Sequence, residues 1–275
     1  MKTKIFTLSI LISMNIFSNK SFAQGYQIAR EVKGIMYGEE ADYSGMAASG
    51  GSGSGGLGVG VGSYMPKPIV KVTDSVVFDA FTFHPEWKNA LVIVDWTGSM
   101  YQYGAQVLRW HKLNKESGDP IVKHMILFND GNDKLHPNQE KPIGSTGGIY
   151  PVDPNDVDDL LKNIESAVDN GDGGEIEENN LEAVVEGIKM YDDYDCIIMI
   201  ADSKSWVRDM ALLDQINKPV NVILCDKGGY ATDYLKIASK TGGSVYAEKD
   251  HVDFSDKLMA SLHEIVFNGK TYKLN

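Results

Sequence analysis

A short run of oxygen-bearing side chains directly follows a strongly apolar segment of the chain. Leu91 to Val94 are four consecutive aliphatic residues. Asp95, Thr97 and Ser99 come next, at alternate positions. Such an aliphatic run is typical of a strand that is buried on both faces of a mainly parallel sheet. Because carboxylate and hydroxyl oxygens suit a hard divalent cation, the spacing predicts a strand that delivers ligands for an ion such as Mg²⁺.

Further acidic residues are expected at the same edge of the sheet. Asp202 directly follows the apolar segment 196–201, and a Gly-rich acidic loop spans 170–178. Loops that follow parallel strands meet at the carboxyl edge, where open α/β folds bind their ligands. Ser99 is predicted to cap the next helix, whose amino end carries partial positive charge that disfavours a cation. The negative charges of Asp95 and Asp202 must therefore outweigh this positive charge. Each carboxylate would bind the cation either directly or through a water molecule.

The remaining pattern alternates strands with helices and predicts an α/β fold. The fold class is a doubly wound, mainly parallel six-stranded sheet with helices on both faces. The six predicted strands cover 91–94, 121–128, 148–152, 196–201, 220–225 and 245–247. Predicted helices begin at Met100 and cover 153–168, 181–188, 206–216, 233–240 and 254–267, and 76–83 is predicted as an additional edge strand.

The amino-terminal part of the chain predicts export from the cytoplasm. Residues 1–23 combine lysines, an apolar run and a small-residue end, which indicates a signal peptide that is cleaved after Ala23. Residues 24–75 read as a Gly/Ser-rich, flexible arm and linker, and 76–270 as the folded domain. We therefore expect a secreted or periplasmic protein with no stable membrane span after cleavage.

Charge and cysteine content narrow the partners and the chemistry. The formal net charge is −12, and removal of three signal-peptide lysines makes it −15. Such a surface repels nucleic acid and favours cations. The two cysteines, Cys196 and Cys225, are expected near opposite ends of neighbouring strands, too far apart for a disulfide bond.

Three motifs together resemble the von Willebrand factor type A family. Asp95-Trp96-Thr97-Gly98-Ser99-Met100 is similar to the family's metal-ion-dependent adhesion motif, DxSxS, in its DxTGSM form. The Gly-Gly-Glu-x-x-Glu run over 173–178 resembles the GGGDxPE loop of many bacterial members. Asp202 at the end of an apolar strand matches the third motif, and 235–243 resembles the late helix and turn.

The resemblance implies a Rossmann-like fold and a binding function without catalysis. It makes Thr97 and Ser99 direct ligands of a divalent cation, most favourably Mg²⁺, with Mn²⁺ or Ca²⁺ as alternatives. Asp95 and Asp202 would bind the ion directly or through water, and Glu175 stands where the family has Thr or Asp. An Asp or Glu side chain of a protein partner would complete the shell. Four more residues are expected behind these ligands or at the rim of the site: Trp96, Asp130, Glu178 and Ser203. For Glu178, the first turn of a helix is an equal alternative.

Two other interpretations of the same turn remain open. Asp-x-Thr-Gly-Ser after a strand also resembles the phosphorylation motif of haloacid-dehalogenase-like phosphatases, in which Asp95 would be the nucleophile. Asp209 loosely resembles part of that family's metal-binding motif. The Gly-Gly-Glu loop has no counterpart in that family. Alternatively, the chain is a metal-free structural module of an envelope assembly, since a fold does not fix a function.

Overall fold

The computed structural model describes residues 76–131, 141–171, 177–226, 229, 231–248 and 250–274. The predicted signal peptide, the Gly/Ser-rich arm and Glu175 lie outside the described residues. The other predicted site residues are all described: Asp95, Trp96, Thr97, Ser99, Asp130, Glu178, Asp202 and Ser203.

Within the described residues, a central sheet of seven strands organises the fold. In chain order they are β1 (Ala90–Asp95), β2 (Val122–Phe128), β3 (Ile149–Val152), β4 (Cys196–Ala201), β5 (Val220–Leu224), β6 (Ser244–Ala247) and β7 (Asp250–Asp253). Their order across the sheet is β3-β2-β1-β4-β5-β6-β7. The five inner strands are parallel, and β3 and β7 are antiparallel edges. The ends of β1, β2 and β4 therefore lie side by side at one edge.

Helices link the strands and cover the sheet. They are α1 (Val76–Phe83), α2 (Tyr101–Glu116), α3 (Val157–Asn170), α4 (Asn180–Met190), α5 (Ala231–Thr241) and α6 (Lys257–Ala260). The Asp156 carboxylate caps α3 by accepting hydrogen bonds from the backbone N–H groups of Asp158 and Asp159. At α2 the N-cap is Met100 without a side-chain hydrogen bond, so the predicted cap by Ser99 is wrong. No helix in the described part of the chain has the length and apolar character needed to cross a membrane.

Alternate side chains of β1 pack into two separate apolar clusters, one on each face of the sheet. Leu91 and Ile93 belong to the cluster that includes the buried residues of α4 and α5. Val92 and Val94 belong to the cluster formed with α1, α2 and α3. All six residues of β1 are buried, as expected for a strand covered on both faces. A mostly parallel sheet with helices packed on it confirms the α/β class and is compatible with a Rossmann-like fold.

The segment 76–83 is helical, and its prediction as an edge strand is wrong. Val77, Ala80 and Phe81 are buried at the i, i+3 and i+4 spacing of one helix face. The ring of Phe81 stacks on that of Trp110 in α2, with 3.6 Å between the centroids. The strand preference of the β-branched residues is a weak prior, and packing against α2 outweighs it.

The predicted helix over 254–267 is also wrong. Only α6 is helical, and it is followed by an antiparallel hairpin of β8 (Glu264–Phe267) and β9 (Lys270–Lys273). Asn268 and Gly269 form the turn with φ of 48° and 70°, a conformation that an Asn-Gly pair adopts readily. In β8, Ile265 and Phe267 are buried while the residues between them are exposed, which is the period of a strand.

Two smaller differences concern β7 and the segment after β4. The predicted count of six strands is wrong because β7 joins the sheet at its edge. Val252 is the one buried residue of that strand, so its sequence carries no apolar run. The helix predicted over 206–216 is a 3₁₀ helix confined to Met210–Gln215.

Both cysteines are free thiols, as predicted. Cys196 opens β4, and burial raises the pKa of its thiol to about 11. Cys225 directly follows β5, and burial raises the pKa of its thiol well above the ordinary value. Both thiols therefore stay protonated and unreactive at neutral pH.

Candidate metal site

Acidic side chains from three neighbouring strands meet at the carboxyl edge of the sheet. Asp95 is the last residue of β1, Asp202 directly follows β4, and Asp130 comes two residues after β2. All three are buried, and Asp95 and Asp202 have 0% of their surface exposed. Because β1 pairs with both β2 and β4 in parallel, this convergence follows from the strand order. The residues at the ends of β1 and β4, Asp95 and Asp202 among them, thus share one edge as predicted, whereas Glu175 in the third predicted loop lies outside the described residues.

The turn after β1 holds Asp95 through one of its two carboxylate oxygens. Asp95 Oδ1 accepts hydrogen bonds from the backbone N–H of Thr97 at 2.8 Å and from Thr97 Oγ1 at 2.7 Å. The hydroxyls of Thr97 and Ser99 lie 3.1 Å apart. Asp95 Oδ2 is buried and has no hydrogen-bond partner in the described part of the chain. The turn thus collects two hydroxyls and one bare carboxylate oxygen.

Asp202 repeats this arrangement on the neighbouring strand. Its Oδ1 accepts a hydrogen bond from the backbone N–H of Lys204 at 3.0 Å. Its Oδ2, like that of Asp95, is buried without a partner among the described residues. A buried polar atom that makes no hydrogen bond costs stability, and such atoms are rare in folded proteins. A cation bound between β1 and β4 would satisfy both oxygens at once.

Glu178 belongs to the same acidic cluster and is not an acid in the first turn of a helix. It lies two residues before α4, and only 5% of its surface is exposed. Burial, followed by the charges of Asp95 and Asp130, raises the pKa of Glu178 to about 12. A hydrogen bond between the side chains of Glu178 and Asp130 also raises the pKa of Glu178 and lowers that of Asp130. The charge of Asp202 raises the pKa of Glu178 as well, so Glu178 belongs electrostatically to the cluster of Asp95, Asp130 and Asp202.

The charge of the cluster is itself a reason to expect a cation. Burial, with the charges of Asp130 and Asp202, raises the pKa of Asp95 well above its ordinary value. A divalent cation offsets such repulsion and favours the ionised carboxylates. Among the described residues, no group of three or more His, Cys, Asp or Glu is arranged to hold a metal ion. The hydroxyl oxygens of Thr97 and Ser99 lie next to Asp95, and such a set of oxygen atoms would suit Mg²⁺ better than a softer metal.

Two basic residues that the sequence did not reveal hold the loop of Asp130. Lys141 Nζ donates hydrogen bonds to the backbone carbonyls of Asp130 at 2.9 Å and of Gly131 at 3.2 Å. Arg208 donates from Nη2 to the carbonyl of Lys141 at 2.8 Å and from Nε to Asn179 Oδ1 at 3.0 Å. The charges of Lys141 and Arg208 lower the pKa of Asp130, although burial raises it more.

The loops after β4 and before α4 are also joined through their backbones. The N–H of Glu178 donates to the carbonyl of Trp206 at 3.1 Å, and the N–H of Arg208 donates to the carbonyl of Glu178 at 2.8 Å. This forms a parallel bridge between Glu178 and Val207. No sequence signal marks this bridge or the two basic residues, because each contact joins loops that are distant along the chain.

The remaining predicted residues have structural positions. Trp96 is only 1% exposed and packs beneath α2, where a Cβ added to Gly104 would lie 2.9 Å from its ring. Trp96 is therefore a core residue and forms no rim. Ser203 is fully buried, and its hydroxyl donates a hydrogen bond to Asp226 Oδ1 at 2.8 Å. It ties the end of β4 to the loop after β5, beside the acidic cluster.

Comparisons with known proteins identify no relative of the chain. No family model, no curated protein and no solved structure matches it.

Proposed function

We propose that residues 76–270 form a doubly wound, von Willebrand factor type A-like domain that binds a divalent cation and, through it, an acidic side chain of a protein partner. The resemblance of Asp95 to Ser99 and of Asp202 to the family's motifs supports this assignment. So do the strand order and the apolar clusters on both faces of the sheet. The predicted signal peptide would deliver the domain to the periplasm or the exterior.

The observation that carries the proposal is the pair of bare, buried carboxylate oxygens. Asp95 Oδ2 and Asp202 Oδ2 lack hydrogen-bond partners among the described residues, and they belong to adjacent parallel strands. The hydroxyls of Thr97 and Ser99 supply neutral oxygens beside them. A hard cation accepts such a mixed set of oxygens and leaves positions for water or for an incoming carboxylate.

Calorimetry with Mg²⁺, Mn²⁺ and Ca²⁺ on the signal-free protein tests the site. We expect the wild type to bind one ion, with Mg²⁺ or Mn²⁺ preferred. Asp95→Asn keeps the size of the side chain, and Asp95→Ala removes it. We expect both variants to bind at least about 100-fold more weakly, because changes behind a metal ligand already cost about 10–100-fold. Asp193→Asn is the matched control, since this exposed carboxylate lies outside the acidic cluster.

Two results of the calorimetry would contradict the proposal. One is that the wild type binds none of the three ions, and the other is that Asp193→Asn weakens binding as much as Asp95→Asn does. Turnover of an aryl phosphate that disappears in Asp95→Asn would instead favour the phosphatase interpretation. For the partner, we expect capture of a protein by the wild type that a chelator reverses and that Asp95→Asn does not reproduce.

A further inference from the structure

The loop that follows Asp202 presents two large side chains to solvent beside the proposed cation site. Burial alternates along it: Ser203, Ser205 and Val207 are buried, whereas Lys204 and Trp206 are exposed. The bridge between Glu178 and Val207 fixes the far end of the loop. The buried residues on either side therefore fix the backbone from which the side chains of Lys204 and Trp206 project.

Lys204 spans the two strands that carry the bare oxygens. Its backbone N–H donates to Asp202 Oδ1 at 3.0 Å, after β4. Its Nζ donates to the backbone carbonyl of Ser99 at 3.3 Å, in the turn after β1. The ammonium group thus contacts the backbone of Ser99, the residue whose hydroxyl would bind the cation. It contacts a neutral carbonyl there and forms no ion pair with a carboxylate of the described residues.

An ammonium group at this point does not help to bind a metal ion. Two positive charges close together repel each other, so Lys204 opposes a cation held by Ser99. The same charge attracts the carboxylate of a protein partner, which would contact both the bound cation and the ammonium group of Lys204. The protein as a whole carries a formal net charge of −12 and repels acidic partners at long range. A local pair of positive charges is what would allow an acidic side chain to bind here.

Trp206 adds an apolar contact to this charged one. Trp206 is 47% exposed, although the next residue, Val207, is buried. Tryptophan is enriched among the residues that dominate protein interfaces, because its large ring buries much apolar surface. The exposed indole is two residues from Lys204, so a partner segment that reaches the ammonium group also reaches the indole.

We infer that Lys204 and Trp206 select the partner. Lys204 binds the same Asp or Glu side chain that the cation binds, and Trp206 packs against a large apolar residue next to that acid in the partner's sequence. The ligand class is therefore a protein segment with an acidic residue adjacent to Leu, Phe or a similar side chain. This inference rests on the proposed cation site and adds the two residues that determine which partner segment binds.

A peptide array tests this selection. The probes are heptapeptides with a central Glu, Asp, Gln or Asn, flanked by Leu, Phe or Gly, and binding is measured in Mg²⁺ and in a chelator. We expect the wild type to bind in Mg²⁺ the peptides that combine a central acid with Leu or Phe. Lys204→Gln should weaken this binding about five- to tenfold, as expected for a partly exposed charge-assisted contact. Lys204→Arg should restore most of it, and Trp206→Ala should remove the preference for Leu or Phe.

Lys115→Gln is the matched control for charge. Lys115 also donates from Nζ to a backbone carbonyl, that of Asn155 at 2.8 Å, but it lies near the far end of α2. We expect this variant to bind the peptides like the wild type. Calorimetry with Mg²⁺ alone should show unchanged or up to about fivefold tighter binding by Lys204→Gln, because a like charge has been removed.

The outcomes separate this inference from the proposed function. If the wild type binds no Mg²⁺, the cation site itself is refuted. If Mg²⁺ binds but no acidic peptide does, or if Lys204→Gln binds peptides like the wild type, only the selection by Lys204 and Trp206 is refuted. An equal loss of Mg²⁺ and peptide affinity in Lys204→Gln would mean that Lys204 merely positions the loop, which also contradicts the inference.

Discussion

At the amino edge of the sheet three acidic side chains are exposed and paired, whereas the acidic side chains of the cluster at the carboxyl edge are buried. Several of the buried ones, Asp95 and Asp202 included, have an oxygen without a hydrogen-bond partner among the described residues. At the amino edge, Asp119 contacts Lys88 and Asp195 accepts a hydrogen bond from Asn89. Asp193 contacts both His124 and Lys123 there. At the carboxyl edge, Asp95 and Asp202 each use one oxygen within their own loop and leave the other without a partner among the described residues.

The difference separates the acidic residues that are compatible with a stable fold from those that lower its stability. Exposed ion pairs contribute little to stability but avoid any burial of charge. Buried acids without partners lower stability, and a fold has no need of them. Their presence at the ends of β1 and β4 agrees with the proposal that a cation binds there, since residues that serve binding often lower stability. The predictions on Arg208, Asp95 and Asp193 test the two sides of this contrast, and the prediction on His111 concerns a buried group outside both.

The largest expected effect is on the basic residue that joins the loops of the carboxyl edge. Arg208→Gln removes the hydrogen bonds to Lys141 O and Asn179 Oδ1 and one of the two charges that favour the ionised Asp130. We expect the free energy of unfolding to fall by about 3 kcal/mol, since each lost bond from a charged donor costs roughly 1.5–3 kcal/mol. Urea denaturation measures this loss. Lys189→Gln is the control, because its exposed ammonium group pairs only at the surface with Glu186 of α4, and a loss of the same size there would contradict the argument.

The second prediction concerns a buried basic group that lies away from the acidic cluster. His111 Nε2 donates a hydrogen bond to Pro154 O at 3.0 Å, and burial lowers the pKa of His111 from 6.5 to about 4. The unfolded chain therefore takes up a proton near pH 6.5, while the folded protein does so only near pH 4. Stability is constant with respect to this group above pH 6.5 and is lost as the pH falls from 6.5 to 4, by at most about 3 kcal/mol.

The difference between wild type and His111→Gln isolates this effect. Glutamine can still donate a hydrogen bond to Pro154 O but takes up no proton. We therefore expect the free energy of unfolding of the variant to fall less steeply than that of the wild type between pH 6.5 and pH 4. Parallel curves for the two proteins over this range would show that His111 does not control the acid sensitivity.

The third prediction reverses the usual effect of removing a buried group. In a chelator, Asp95→Asn should unfold at a higher temperature than the wild type, because it removes a buried charge that repels Asp130 and Asp202. Asparagine keeps the hydrogen bonds from Thr97 through its Oδ1. We expect a gain of roughly 1–2 kcal/mol, within the range for replacing a strained functional residue.

Saturating Mg²⁺ should reverse this order. The wild type gains about 2.7 kcal/mol at a concentration of 100 times Kd, and the variant that cannot bind the ion gains nothing. Differential scanning fluorimetry with and without a chelator measures both orders. Asp156→Asn, which keeps the cap of α3, serves as the control and should follow the wild type in both conditions. A destabilised Asp95→Asn in the chelator would show that this carboxylate serves the fold.

The sequence predicted those parts of the molecule in which one local pattern dominates. β1 and β4 are aliphatic runs that end in Asp95 and Asp202, and both strands and both acids lie where the pattern indicated. The loops that follow parallel strands lie at one edge of the sheet, so the convergence of the two acids was also predicted. The binding function that these residues suggest stays a prediction.

The sequence failed where distant contacts decide the structure. The segment 76–83 is helical because Phe81 packs on Trp110, and nothing within the segment indicates that contact. Arg208 and Lys141 enter the site through backbone carbonyls, which carry no sequence signature. The carboxy-terminal hairpin is different, since Asn268-Gly269 and the alternation in β8 were visible and the helical interpretation overlooked them.

The smallest effect is expected at the amino edge. His124, followed by Lys123, lowers the pKa of the exposed carboxyl group of Asp193, so its pairing contributes stability above the ordinary pKa that is lost as the pH falls. Asp193→Asn should lower the melting temperature only slightly at pH 7, and less at 1 M salt than at low salt, because salt screens exposed pairs. Its Mg²⁺ affinity should equal that of the wild type. A decrease as large as that of Arg208→Gln would mean that the amino edge, too, depends on its charges, and the contrast between the two edges would then be lost.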